Sequence, residues 1–258
     1  MIDMATFINT MKTSNPSGFE PFKTEVRYLC REGNVFLMDN HLAAAWCWLQ
    51  CCQSTEQYGI IHIDRHLDLE HHPRCPKESY SKIVNQELSI YDYLNLSWKT
   101  PEIASPIQCF QWNNYLRNCR DIFPNWFNPG LFITKEPAGS VEDSFPEFRF
   151  CKFWGSREYL KSRIKSGVKW IINIDLDVFF MGKNFDDNSS KYIRQCYCDN
   201  TIRQIGRIVN SSRDNIQVVT IAMSPECCGG INNSLAVLFL LSQDIPELRG
   251  MYANLIDS

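Results

Sequence analysis

Four short stretches gather the residues that could do chemistry. MDNH (38–41) ends in His41 after Asp39. HIDRHLD (62–68) sets His62, Asp64, His66 and Asp68 two residues apart. NIDLD (173–177) pairs Asp175 with Asp177, and MSPECC (223–228) holds Glu226. Alternate residues of an extended chain share a face, so the HxDxHxD run is expected to line one side of a strand end and its loop. Ionisable groups buried on an apolar strand are costly unless something compensates them. No Lys or Arg stands close to Asp175 and Asp177 in sequence, and a divalent cation would compensate directly. One D-x-H or D-x-D is a weak signal, because Asp and His at strand ends often cap the next helix. The two together, each closing an apolar run, point to a metal site. Four Asp and two His make an oxygen-rich, borderline donor set that suits Mn²⁺, with Zn²⁺ or Fe²⁺ also compatible.

The elements that must position these residues are apolar runs. NVFLMD (34–39), YGIIHID (58–64), VKWIINIDLDVFF (168–180) and IQVVTIAMS (216–224) are rich in β-branched and aromatic residues and read as buried strands. Helical stretches lie between or beside them, at 42–52, 190–212 and 231–243. Continuous apolar strands alternating with helices predict a parallel sheet covered on both faces, a three-layer α/β/α architecture. Such sheets bind ligands at the carboxyl ends of their strands, where all of the candidate residues fall. The region 70–150, rich in Pro, Asn, Trp and Phe, is expected to hold loops and shorter elements. No repeat or linker divides the 258 residues, so one domain over 1–258 is expected.

Composition narrows the function classes. A net charge of −3 and the lack of a basic stripe argue against nucleic-acid binding. No apolar run approaches the roughly 20 residues that span a bilayer, and the N-terminus lacks the basic and apolar segments of a signal peptide. A cytoplasmic chain is expected. Its 12 cysteines then read as reduced small hydrophobes, because adjacent pairs such as Cys51-Cys52 and Cys227-Cys228 lack zinc-knuckle spacing. His62 is expected to pack or to hydrogen-bond to a neighbour of the metal, and His71 and His72 read as a solvated loop pair or proton shuttle. Cys227 and Cys228 have no partner base in sequence.

In order and separation these motifs resemble the arginase (ureohydrolase) family, which has a ligand histidine after one strand, a DxHxD motif after the next and a later DxD motif. The resemblance covers most of the chain and implies an arginase-like fold with two Mn²⁺ ions. One ion would take His41, Asp64, Asp68 and Asp175; the other would take Asp64, His66, Asp175 and Asp177. Asp68 would carry the proton of the attacking water, and Glu226 would hold the guanidinium. The departures are specific. LMDNH stands where the family has GGDH, VFF follows the DxD motif where the family has a proline-containing extension, and no Asn/Ser-bearing loop that would grip a free amino acid is found.

The pattern, with its SPECCGG segment, is similar to peptide arginases that convert arginine to ornithine in ribosomally made precursor peptides. The expected partner is therefore an arginine-containing precursor peptide, with no nucleic acid and no membrane; the oligomeric state is open. The alternatives are a ureohydrolase for a free guanidine compound, a deacetylase-like amidohydrolase with one zinc, and a non-catalytic adaptor stabilised by metal. A metallophosphoesterase is disfavoured because no histidine follows residue 72.

Overall fold

The computed structural model describes residues 26–70, 81, 83–84, 88–99, 106–135, 145–152, 156–164, 167–181 and 194–257. Its centre is a seven-stranded sheet, formed by β1 (Leu29–Glu32), β2 (Val35–Met38), β3 (Tyr58–Asp64), β6 (Gly130–Thr134), β7 (Phe148–Lys152), β8 (Lys169–Asp175) and β11 (Ile216–Ala222). The spatial order is β1-β2-β11-β8-β3-β6-β7. Every pair is parallel except β1-β2, an antiparallel hairpin at the edge. Two small antiparallel pairs lie outside the sheet: β4 (Ser97–Trp98) with β5 (Ile107–Gln108), and β9 (Phe180–Met181) with β10 (Arg194–Gln195).

Both faces of the sheet are covered, as continuous apolar strands require. On one face Phe36, Ile60, Phe132, Ile171 and Val218 pack against α1 (Ala44–Leu49), α2 (Ile90–Leu94) and α3 (Tyr115–Ile122), with Trp126 and Phe127. On the other, Leu37, Ile61, Ile133, Ile172 and Val219 meet α4 (Ser156–Ile164), α5 (Asp199–Ser211), α7 (Ile231–Ser242) and α8 (Pro246–Asp257). A four-residue helix, α6 (Pro225–Cys228), follows β11. The fold is the expected three-layer α/β/α arrangement. No helix among the described residues is long and apolar enough to cross a membrane.

One feature of the topology positions the site. β3 and β8 are neighbours at the centre, but the chain leaves β3 toward α2 and α3 on one face and leaves β8 toward α5 on the other. Strands whose connections diverge in this way open a crevice at their carboxyl ends. Asp64 ends β3 and Asp175 ends β8.

Several expected elements differ in detail. The run 168–180 is a strand only to Asp175; Leu176–Phe179 form a 3-10 turn, so Asp177 sits beyond the strand. Of the stretch 190–212, the described residues 194–212 are α-helical over Asp199–Ser211; Arg194–Gln195 pair with β9 and Cys198 is extended at the helix start. The region 70–150 holds β6 and the start of β7, two strands of the central sheet.

Candidate metal centre

Short local devices bring the side chains together. Asp39 accepts hydrogen bonds from the backbone N–H of Arg27 and Tyr28, at 3.0–3.1 Å, which ties the incoming chain to the end of β2. Asn40 then caps the 3-10 turn His41–Ala43 by accepting from the Leu42 N–H at 2.9 Å. With Asp39 and Asn40 occupied by backbone, His41 is left to face the crevice.

The DxH and DxD motifs use one geometry twice. Asp64 Oδ1 accepts the His66 N–H at 2.7 Å, and Asp175 Oδ1 accepts the Asp177 N–H at 2.9 Å. Both are carboxylates bonding their own backbone two residues on, a turn-forming habit of Asp. Asp177 Oδ1 links the two turns by accepting the Arg65 N–H at 3.1 Å. One oxygen of each of these three aspartates is thus spent on backbone, and the other is turned toward a common centre.

At that centre His41 Nδ1 lies 2.6 Å from Asp175 Oδ2 and 3.5 Å from both Asp64 Oδ2 and Asp68 Oδ2. His66 Nδ1 is 3.1 Å from Asp177 Oδ2 and 3.6 Å from Asp64 Oδ1. His41, Asp64, Asp68, Asp175 and Asp177 are buried, and His66 is about one-quarter exposed. Three donor groups, His41/Asp64/Asp175, His62/Asp64/Asp68 and Asp64/His66/Asp177, have ligand atoms within 4.8 Å of one another, and Asp64 belongs to all three. Six of the seven residues singled out in the sequence therefore converge. The seventh, Glu226, is exposed on α6 at the rim.

The electrostatics are those of carboxylates crowded together out of water. Burial alone would lower the pKa of His41, but Asp68 and Asp175 push it well above the usual imidazole value. Burial likewise opposes, and Asp177 with Asp64 outweighs it, so His66 rises to about 11. Burial raises Asp175 to about 7, helped by the Asp177 and Asp64 charges, and raises Asp68 well above the usual carboxylate range. Asp64 is held low because the His41 and His66 imidazoles beside it outweigh its burial. Burial lowers His62 to about 4.

The donors fit divalent cations. Asp64 Oδ2 and both oxygens of Asp68 are buried without a hydrogen-bond partner. Native proteins rarely leave such atoms unpaired, and unpaired carboxylate oxygens converging with imidazole nitrogens are the arrangement an oxygen-preferring ion needs. The backbone is strained at the same place. Asp68 (φ 52°) and Ser224 (φ 39°) both adopt the left-handed conformation, which costs non-glycine residues of order 1–3 kcal/mol and clusters at functional sites.

Ser224 was not singled out in the sequence, yet its Oγ–H donates to Asp175 Oδ2 at 2.6 Å. Its signal was a serine before proline at a strand end, two residues before Glu226. Nothing in the sequence assigned Trp112 to the metal centre either. Half-buried, its ring lies 6.4 Å from that of His41 at 12° and 6.4 Å from that of His66 at 78°, so it walls both histidines. Among the other aromatics of 98–154, Phe110, Phe123, Trp126, Phe127, Phe132, Phe145 and Phe148 are buried core. The thiols of Cys227 and Cys228 are pushed well up by burial, which makes them poor nucleophiles. His71 and His72 lie outside the described residues.

Although Glu226 is open to solvent on one side, partial desolvation raises its carboxyl above the usual range, and a backbone hydrogen bond with the charges of Arg27 and His41 offsets part of that rise.

No protein-family model and no curated protein matches the chain. Among solved structures it is similar to a proclavaminate amidino hydrolase from Streptomyces clavuligerus, with TM-score 0.46 and 11% identity over 83% of this chain and 65% of that one. It is also similar to Helicobacter pylori arginase, with TM-score 0.45 and 12% identity over 82% of this chain and 71% of the arginase. For Entamoeba histolytica arginase in complex with L-ornithine the values are 0.45 and 11%, over 80% and 68%. The chain spans just under two thirds of the amidino hydrolase's length.

Proposed function

We propose that this chain is a two-metal hydrolase that cleaves the guanidinium group of arginine side chains within a precursor peptide, leaving ornithine and releasing urea. The observation that carries the reading is the convergence of four aspartates and two histidines at the β3/β8 crevice, with Asp64 Oδ2 and both oxygens of Asp68 accepting no hydrogen bond. His41, Asp64, Asp68 and Asp175 would hold one ion, and Asp64, His66, Asp175 and Asp177 the other; Mn²⁺ suits the donors best. The chemistry supplied by such a pair, when bound, is a shared water whose pKa falls toward neutrality.

The protein's own residues do the rest. Asp68, with neither oxygen engaged by a hydrogen bond, takes the proton of the attacking water and passes it to the departing amine. The water oxygen bonds to the guanidinium carbon, the bond from that carbon to the side-chain nitrogen breaks, and both water protons end on that nitrogen, giving urea and the ornithine ammonium. Glu226, at the rim, orients the planar cation by a charge-assisted contact. Trp112 offers that cation an aromatic wall.

The peptide substrate is favoured over free arginine because the sequence lacks a segment to grip an α-carboxylate and α-amine. The test is metal analysis of the purified protein joined to a urea assay on free arginine and on arginine peptides. Peptide turnover gives urea and a mass loss of about 42 Da, as hydrolysis to ornithine requires. Urea from free arginine alone would shift the substrate to a free guanidine compound, and no urea from either would overturn the activity.

A further inference from the structure

One pleat below Asp64 and Asp175, a second row of polar side chains crosses the three central strands. Thr220 of β11 pairs in register with Asn173 of β8, which pairs with His62 of β3. All three are fully buried, and the helices on that face add Trp48 and Tyr115, also fully buried. Polar groups in the middle of apolar parallel strands destabilise the fold unless each finds a partner. Here each does.

The bonds have a direction. The Trp48 indole N–H can only donate, and it donates to Thr220 Oγ1 at 3.1 Å. The Thr220 hydroxyl proton then goes to Asn173 Oδ1 at 2.8 Å, its shortest acceptor. That orients the Asn173 amide, whose Nδ2 donates to Tyr115 Oη at 2.7 Å and faces His62 Nδ1 at 2.9 Å. His62 Nδ1 therefore accepts, and its ring proton sits on Nε2. Nε2 lies 3.2 Å from the carbonyl oxygen of His66, which can only accept.

We infer that His62 is a positioning residue: the Trp48–Thr220–Asn173 chain locks it as the Nε2–H tautomer, and it pins the His66 carbonyl and so the turn presenting Asp64 and His66. This assigns His62 against the competing role that proximity alone suggests, since His62, Asp64 and Asp68 also form a group close enough to share an ion. A protonated Nε2 cannot be a ligand. The inference rests on the metal-centre reading but not on the identity of the substrate. Partners one step removed from a metal commonly set its affinity by about 10–100-fold.

Two measurements test it. In the zinc-loaded native protein, nitrogen-proton correlation NMR should show His62 as a neutral Nε2–H ring, the same before and after zinc is added. An Nδ1–H ring, or an Nε2 resonance that moves to a zinc-bound position, overturns the inference. In calorimetric titration with Mn²⁺, His62→Ala should weaken binding by about 10–100-fold, while His62→Gln, whose amide can donate to the His66 carbonyl, should recover most of it. Unchanged affinity in His62→Ala, or no recovery in His62→Gln, overturns it as well. If His62→Ala does not fold, the NMR experiment on the native protein decides. Native protein that binds no divalent cation refutes the metal centre itself, whereas the ring proton still reports on His62 alone.

Discussion

Replacing Asp68 by Asn separates a metal ligand from an ordinary structural aspartate, because the two roles predict opposite rankings of stability. Asn has the same shape and tolerates the left-handed backbone that Asp68 adopts. The charge is all that is lost. At an effective dielectric of about 20, the attraction to His41 Nδ1 at 3.5 Å is worth about 5 kcal/mol in the ion-free protein. Repulsion from the Asp64 carboxylate within 4.8 Å costs about 3 kcal/mol, and Asp175 adds to it. These nearly cancel. What remains is the desolvation of a buried carboxylate whose oxygens accept no hydrogen bond, about 1–3 kcal/mol or more. That cost makes the Asp68 carboxyl hold its proton in the ion-free protein, so in excess chelator Asp68→Asn should melt as high as the parent or slightly higher. With Mn²⁺ at about 100 times its dissociation constant, the parent gains about 2.7 kcal/mol, which is about 5–11 °C at 2–4 °C per kcal/mol. The variant should lose most of that gain, so the ranking inverts. Differential scanning calorimetry in the two conditions is the assay. A variant that melts lower than the parent in chelator, or a parent that no divalent cation stabilises, refutes the reasoning.

Three further outcomes are expected. Gly59→Ala places a Cβ 2.6 Å from an indole carbon of fully buried Trp170; such overpacking costs about 1–3 kcal/mol, read as a lowered thermal midpoint with metal affinity unchanged. Asp244 accepts from Arg203 and Arg207, and the Arg203 hydrogen bond holds its carboxyl below the ordinary 3.8. A depressed carboxyl contributes stability above its ordinary value and loses it as pH falls through the folded value. Asp244→Asn should therefore flatten the parent's loss of thermal stability below about pH 4, and parallel acid profiles would contradict the assignment. Hydrogen bonding to Thr201 lowers the exposed Cys198 thiol, whereas burial raises those of Cys47, Cys52, Cys119, Cys227 and Cys228. Peptide mapping after brief alkylation should find Cys198 modified ahead of those five.

Much of the site was legible because its residues obey local rules. Asp and His at the ends of apolar runs announce themselves by alternation, and a parallel sheet carries every strand end to one side. That is enough to expect the layers, the crevice and the cluster of His41, Asp64, His66, Asp68, Asp175 and Asp177. The same alternation also marked His62, but nothing in one dimension shows that Asn173 lies beside it. Their pairing is a matter of strand order: β3 and β8 are adjacent although β6 and β7 intervene in the chain, so His62 meets Asn173 across 111 positions. β6 and β7 themselves were hidden in a stretch rich in loop-forming residues, because five residues are too few to show a period, and β6 is buried on both faces. Ser224 and Trp112 reach the site through a left-handed backbone and a loop before α3, which depend on packing rather than propensity. The sequence by itself determined which groups gather; tertiary structure decided which oxygen each aspartate keeps for backbone and which it leaves free, because hydrogen-bond direction is set only when the two turns meet.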